Sequence, residues 1–290
     1  MKKVVIVLLS LALLVSCSKI RQKENDIKKN NDNEVCDLKI GCTTYISSYI
    51  QAVLLSEIID RAGYTSKIII DDTDNMWKNL SLGKTDVILS SWIPTIDTSR
   101  RAEIQSLIKD LGSNCRNLSN GIFVPEYTSI GFLNELNEYR DNFSNVIYVC
   151  KQSDLTYKET KNMLEHYKLN YYIQPVSYEE LDTVIKKSIN NKEWIAVALW
   201  TPNGKINKFN LRQLRDSENI FTNNIDTHTI INNDFNNNKL INILDNYNIR
   251  KCELNELINL MTQNDIEKKI VTSWLDNNLQ VIDRIYSIKK

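Results

Sequence analysis

The chain has 290 residues, and its 36 lysines and arginines are balanced by 36 aspartates and glutamates. That balance gives no reason to expect nucleic acid or another strongly charged partner. Seven glycines, none in a GxGxxG or P-loop spacing, disfavour nucleotide binding. Met1-Lys2-Lys3 opens the chain, and an apolar run from Val4 to Val15 follows. The run is too short to span a bilayer and has the charged start of a secretory leader. It ends Leu14-Val15-Ser16-Cys17, the pattern of a bacterial lipobox. Residues 1–16 are therefore expected to be removed and Cys17 to be acylated, with the lipid supplying membrane affinity. Residues 17–36 are polar and aperiodic and read as a flexible linker. The mature chain is expected outside the cytoplasm, held at a membrane surface (periplasm or outer face of the cell membrane). The remaining cysteines are Cys36, Cys42, Cys115, Cys150 and Cys252. No CxxC pair occurs, so neither a metal nor a cofactor is expected, while one or two disulfides stay open.

From residue 37 the pattern alternates. Leu38–Gly41 reads as a strand, 47–62 as a helix stopped by Gly63, Ser66–Ile70 as a strand, and Asp74–Leu82 as a short helix. Asp86–Leu89 is a third strand, leading into Ser90-Ser91-Trp92 and Pro94. A helix is expected around Ser99–Leu111 and strands at Gly121–Pro125 and Asn145–Val149. Further on come a helix near 156–167, a strand at Tyr171–Val176, a helix at Tyr178–Asn190 and a strand at Trp194–Leu199. The tail reads as helices at Leu240–Leu244, Leu254–Met261 and Ile266–Tyr286. This alternation argues for α/β units with largely parallel sheets.

Catalytic signals are weak. His166 and His228 are the only histidines, and neither accompanies a G-x-S-x-G elbow or an HExxH motif. The unusual feature is aromatic. Trp92 and Trp200 each end an apolar strand and are followed by one residue and a proline. Tyr45 also follows a strand. Ligands of open α/β sheets bind at the carboxyl ends of strands, and ring faces suit a quaternary ammonium group. The pattern by itself leaves core packing and ligand contact equally open for both tryptophans.

The ordered motifs resemble one family. Ile40-Gly41 to Tyr45 and Gly63-Tyr64 come first, then Asp71 to Trp77, Leu80, Gly83 and Asp86-Val87. Trp92-Ile93-Pro94-Thr95, Gly121 to Tyr127, Ala196 to Pro202, and Leu211, Leu214 and Asp216 follow. In this order they resemble the substrate-binding proteins of glycine betaine, proline betaine and choline ABC importers, the OpuAC-type family. The resemblance implies a two-lobed periplasmic-binding-protein fold, each lobe a mostly parallel sheet flanked by helices. It implies lobe 1 at 37–125 and 226–290, and lobe 2 at 126–225. It also implies a binding protein rather than an enzyme, an ABC permease as partner, and an aromatic cage of Tyr45, Trp92 and Trp200. Ser47, Tyr127 and Asn203 would complete the ligand contacts, and Trp77 would pack its helix.

The chain departs from the family at four places, one of them Tyr45, which stands where the family usually has Trp. Asn203 stands where the family has His. Cys150-Lys151-Gln152-Ser153 replaces a Gly-Ala-Gly turn, and Ser47 stands where choline binders carry an acid. The competing readings are a surface adhesin or scaffold, a divergent binding protein of the same fold with a different small molecule, and an enzyme on that fold.

Overall fold

Short apolar runs bounded by turn residues build the sheet, and the computed structural model describes residues 35–287 apart from 94, 96, 152 and 264–267. The expected leader, Cys17, most of the linker, Pro94 and Gln152 lie outside the described residues. The first half starts with β1 (Leu38–Cys42), α1 (Ile46–Arg61), β2 (Ser66–Ile70), α2 (Thr73–Ser81) and β3 (Val87–Ile93). The β2 strand is the one expected, and β1 and α1 fall within a residue of expectation. Gly63, at φ +83°, stops α1; its N–H reaches Asp60 O and the Tyr64 N–H reaches Ile59 O. The Asp72 carboxylate accepts the Asn75 N–H at 2.8 Å and caps α2.

A short helix α3 (Thr98–Glu103) leads into β4 (Ile108–Pro125), an 18-residue strand. The expected helix over 99–111 is thus corrected to six residues, and the strand expected at Gly121 starts thirteen residues earlier. The second half continues with β5 (Val146–Cys150), α4 (Asp154–His166), β6 (Tyr172–Val176), α5 (Tyr178–Asn190) and β7 (Ala196–Thr201). A capping box of Ser177 and Glu180 starts α5 at the expected residue. Next come α6 (Gly204–Lys208), β8 (Leu211–Gln213) and β9 (Asn223–Asn232). The tail is α7 (Asn238–Asn246), α8 (Lys251–Gln263), α9 (Lys268–Asn277) and α10 (Leu279–Tyr286). The single helix expected over 266–286 is two, broken at Asn278.

All nine strands join one sheet in the order β2-β1-β3-β9-β4-β7-β5-β6, with β8 beside β4. The β2-β1-β3 and β6-β5-β7 groups are parallel, and β4 and β9 run antiparallel between them. Through residue 119, β4 pairs with β9; from Ser119 onward it pairs with β7 and then β8. Each half is covered on both faces. On the first half, one core joins Leu38, Ile40, Leu54 and Val87 to α8, α9 and α10, and a second packs Met76, Trp77 and Leu80 on Ile88 and Ile230. The second half has one core around Ile122, Ile147 and Ala196 and another around Phe123, Leu181 and Leu199. Two sheet regions, each sandwiched by helices and joined by two crossing strands, make the two-lobed α/β fold that the motifs implied.

One buried carboxylate ties the tail together. Glu253 on α8 is 4 % exposed and accepts the Arg250 N–H at 2.8 Å and Arg284 Nη2 of α10 at 2.7 Å. Burial raises its pKa, but the hydrogen bonds from Arg250 and Arg284 outweigh burial and hold it below the usual carboxylate value. With the folded pKa below the unfolded one, its stabilisation is fully present above the unfolded value of 4.5 and is lost as pH falls through the lower folded value. Glu253→Ala should cost about 1–3 kcal/mol, because it leaves the partly buried Arg284 guanidinium and the Arg250 N–H without their acceptor. Urea unfolding at neutral pH checks this, and a cost below about 1 kcal/mol would contradict it.

Candidate ligand-binding site

A cavity of about 340 Å³ opens at the carboxyl ends of the parallel strands. From the first half, its wall takes Thr43 after β1, Tyr45, Ser47 and Ser48 at the start of α1, and Ser90 and Trp92 on β3. The α2 start contributes Asp72, Thr73, Asp74 and Met76, and Asp97 and Arg100 stand beyond β3. From the second half come Asn120 of β4, Lys151 and Ser153 of the β5–α4 turn, Leu155 at the start of α4, and Trp200 of β7. Tyr45, Ser47, Trp92 and Trp200, four of the expected site residues, therefore line one cavity.

The rings are arranged about Trp200, which is 7 % exposed. Tyr45 meets it edge-on, with centroids 5.4 Å apart at 81°. Tyr178 stacks on it at 5.7 Å and 25°, and also meets Tyr45 edge-on at 5.7 Å. Trp92 and Tyr45, both half-buried, pack on the apolar cluster that contains Trp200. Behind Tyr178 the Lys205 ammonium lies 3.7 Å from the ring centroid and pairs with Asp182. Burial lowers the Lys205 pKa; burial would raise Asp182, but Lys205 and Lys208 hold it low. Tyr178 was not singled out in the sequence. The signal was there: it follows parallel strand β6 as Trp92 ends β3.

Two expected contacts lie elsewhere. Asn203 is 1 % exposed and does not line the cavity. Its Oδ1 accepts the Lys205 N–H, capping α6, and the Tyr178 hydroxyl, each at 3.1 Å. Asn203 thus holds Tyr178, the ring stacked on the cavity residue Trp200. Tyr127 is 47 % exposed and donates its hydroxyl to Glu193 O at 2.6 Å, away from the cavity wall. His228 belongs to the crossing strands, where its Nδ1 lies 2.9 Å from the Asp110 carboxylate; His166 pairs with Glu218 at the surface. Neither lines the cavity. Cys42, Cys115 and Cys252 are free thiols.

The cavity floor is polar. Ser48 Oγ accepts the Thr43 N–H at 3.0 Å and lies 2.7 Å from Ser90 Oγ. The Thr43 hydroxyl, 5 % exposed, has no hydrogen-bond partner among the described residues. A buried donor of this kind costs roughly 1–3 kcal/mol until something accepts from it. The site can therefore hold a small molecule with a methylated, apolar cation at one end and hydrogen-bonding atoms at the other.

A two-lobed α/β fold with a small-molecule cavity at its strand ends is the architecture of a solute-binding protein. Residues 37–277 match the family described as the substrate binding domain of ABC-type glycine betaine transport systems, and the chain belongs to that family. Among solved structures, lactococcal OpuAC in its closed form with glycine betaine superposes with a TM-score of 0.76 at 16% identity, covering 86% of this chain and 99% of that one. The glycine betaine/L-proline-binding protein ProX from Borrelia burgdorferi gives 0.73 at 23% identity, covering 87% and 97%. At such identities the likeness is one of fold. The glycine betaine/carnitine transport binding protein GbuC of Listeria monocytogenes serotype 1/2a (strain 10403S) is 26% identical over 124 residues. That match spans 41% of this chain and 41% of the relative's length.

Proposed function

We propose that the chain captures a quaternary ammonium compound (glycine betaine, proline betaine, choline or a relative) for an ABC importer. Tyr45, Trp92 and Trp200 enclose the ammonium methyls. The supporting observation is that these three rings, from three separate segments, line one cavity. Each desolvated ring face contributes ~0.5–2 kcal/mol to a cation, whereas micromolar binding needs ~8 kcal/mol. Polar contacts and exclusion of water supply the rest, and Ser47, Thr43, Ser153 and Lys151 are the groups of the wall that can meet the ligand's other end. Asn203 serves through Tyr178, and Tyr127 takes no part in the contact.

The two halves close on the ligand by rotating about the crossing strands β4 and β9, near Ser119 and Asn223, where β4 changes partner from β9 to β7. The closed form is what the permease receives. Acylation at Cys17, with residues 17–36 as leash, keeps the chain at a membrane surface outside the cytoplasm (periplasm or outer face of the cell membrane); among the described residues no helix is long and apolar enough to cross a membrane. Calorimetric titration with glycine betaine, proline betaine, choline and carnitine tests the reading. Saturable binding of at least one at micromolar concentration is expected. Absence of binding to all four would overturn the reading and favour a binding protein for a different solute.

A further inference from the structure

We infer that Asp97 is the positioning residue of the cavity: its two carboxylate oxygens tie Trp92 to the rigid core of the first lobe and thereby set ligand affinity. The inference rests on the quaternary-amine reading for its ligand, but its geometry stands apart from that reading. Asp97 is 2 % exposed. Its Oδ2 accepts the Trp92 backbone N–H at 2.8 Å, and its Oδ1 accepts Trp77 Nε1–H at 3.1 Å. Its own N–H returns to the Trp92 carbonyl at 3.3 Å, so the turn after β3 closes back on Trp92.

Trp92 needs such support. The β3–β9 register shifts between Ile88 and Ser91, immediately before it. A bulge of this kind re-aims the side chains that follow and weakens the local ladder. Trp77, by contrast, is 3 % exposed and fixed among Met76, Leu80, Ile88 and Ile230. Asp97 therefore carries the rigidity of that core to the ring that faces the cavity. Hydrogen bonds to a charged acceptor are roughly twice as strong as neutral ones, so the link depends on the ionised carboxylate.

Burial pushes the Asp97 carboxyl up to about 6, while the Trp92 N–H and the Arg100 guanidinium pull the other way. Arg100 Nη1 lies 3.6 Å away on α3, and Asp74 of α2 pairs with Arg100. On β9, Asp226 and His228 stand opposite Ile93 and Ser91. Asp226 accepts from Ser113, and His228 is paired with Asp110. These neighbours are charged or ionisable as well, so the Asp97 variant must assign the transition.

The test uses the full chain as wild type, Trp92→Phe, Asp97→Asn and Asp97→Ala. The emission of Trp92, isolated as wild type minus Trp92→Phe, is followed without ligand from about pH 5 to about pH 8. A transition with its midpoint near 6 in wild type, absent in Asp97→Asn, is expected. Glycine betaine and choline are then titrated at neutral pH. A loss of about 10-fold or more in Asp97→Ala, with a smaller loss in Asp97→Asn, is expected because the amide keeps one acceptor. Unchanged affinity and Trp92 emission in Asp97→Ala would overturn the inference. A transition that persists in Asp97→Asn would overturn it as well, whether or not Asp97→Ala folds. Should wild type bind neither amine, the proposed function is in question, and the ligand-free titration still decides the role of Asp97.

Discussion

Replacing Trp200 by alanine is expected to weaken quaternary-amine binding about 100-fold, or ~2.8 kcal/mol, and to destabilise the fold by about 3–5 kcal/mol. Both effects come from one ring. Trp200 is 7 % exposed, ends β7 beside the cavity, and holds Tyr178 face-on and Tyr45 edge-on. Its removal deletes a buried indole and leaves a cavity behind it. The two ring pairs add about 0.5–1.5 kcal/mol each beyond area. The ligand loses a cation–π face, and Tyr45 loses the edge that orients it. Trp200→Phe keeps a ring at the same place, so it should recover most of the stability and part of the affinity. Urea unfolding and calorimetry separate the two effects. Affinity equal to wild type in a folded Trp200→Ala protein would show that Trp200 is a core residue only.

The second large effect is expected at Glu159. This carboxylate of α4 is 5 % exposed and holds the point where the chain passes between halves. Its Oε2 accepts Asn120 Nδ2 at 2.9 Å, and its Oε1 accepts the Thr222 N–H at 2.9 Å and the Thr222 hydroxyl. Asn120 lies opposite Trp200 in the β4–β7 ladder and lines the cavity; Thr222 immediately precedes β9. Glu159→Ala orphans these donors, at roughly 1–3 kcal/mol for each buried group, so a loss of about 3–5 kcal/mol is expected. Glu159→Gln retains one acceptor oxygen but turns an NH2 toward a donor, and should cost less. The urea midpoint measures both. A loss below about 1 kcal/mol in Glu159→Ala would mean that the crossing strands are held by their ladder alone.

The contrast between what the sequence made legible and what it hid follows from where each residue finds its partners. The β2 strand and the α5 helix were readable residue for residue, because an apolar run and a capping box act locally. The first thirteen residues of β4 were not. Register shifts between Asp110 and Gly112, Ser113 and Cys115, and Cys115 and Leu118 break the period-2 alternation that marks a strand. The β9 strand is hidden differently. Thr227 and Thr229 occupy two of its buried positions, and both are satisfied by the buried Asn114, whose amide also donates to Leu89 O at 2.7 Å. A polar core of this kind does not look like a strand until Asn114, on another strand, is beside it.

The site divides along the same line. Tyr45, Trp92 and Trp200 were legible because an aromatic at the carboxyl end of a strand is a local pattern. Tyr178 obeys the same pattern but opens a helix with an ordinary capping box. Asn203 changes role because α6 needs a cap and Tyr178 needs an acceptor, neither of which spacing reveals. Asp97 and Glu159 are two charges among many in the sequence, and their burial exists only in the folded chain.

The most direct test of the central claim is a crystal structure of the protein grown with saturating glycine betaine or choline. The account predicts the trimethylammonium group in contact with the faces of Tyr45, Trp92 and Trp200, with the ligand's polar end toward Thr43, Ser47 or the Lys151–Ser153 turn. An amine bound elsewhere, or a cavity without amine at saturation, would contradict it.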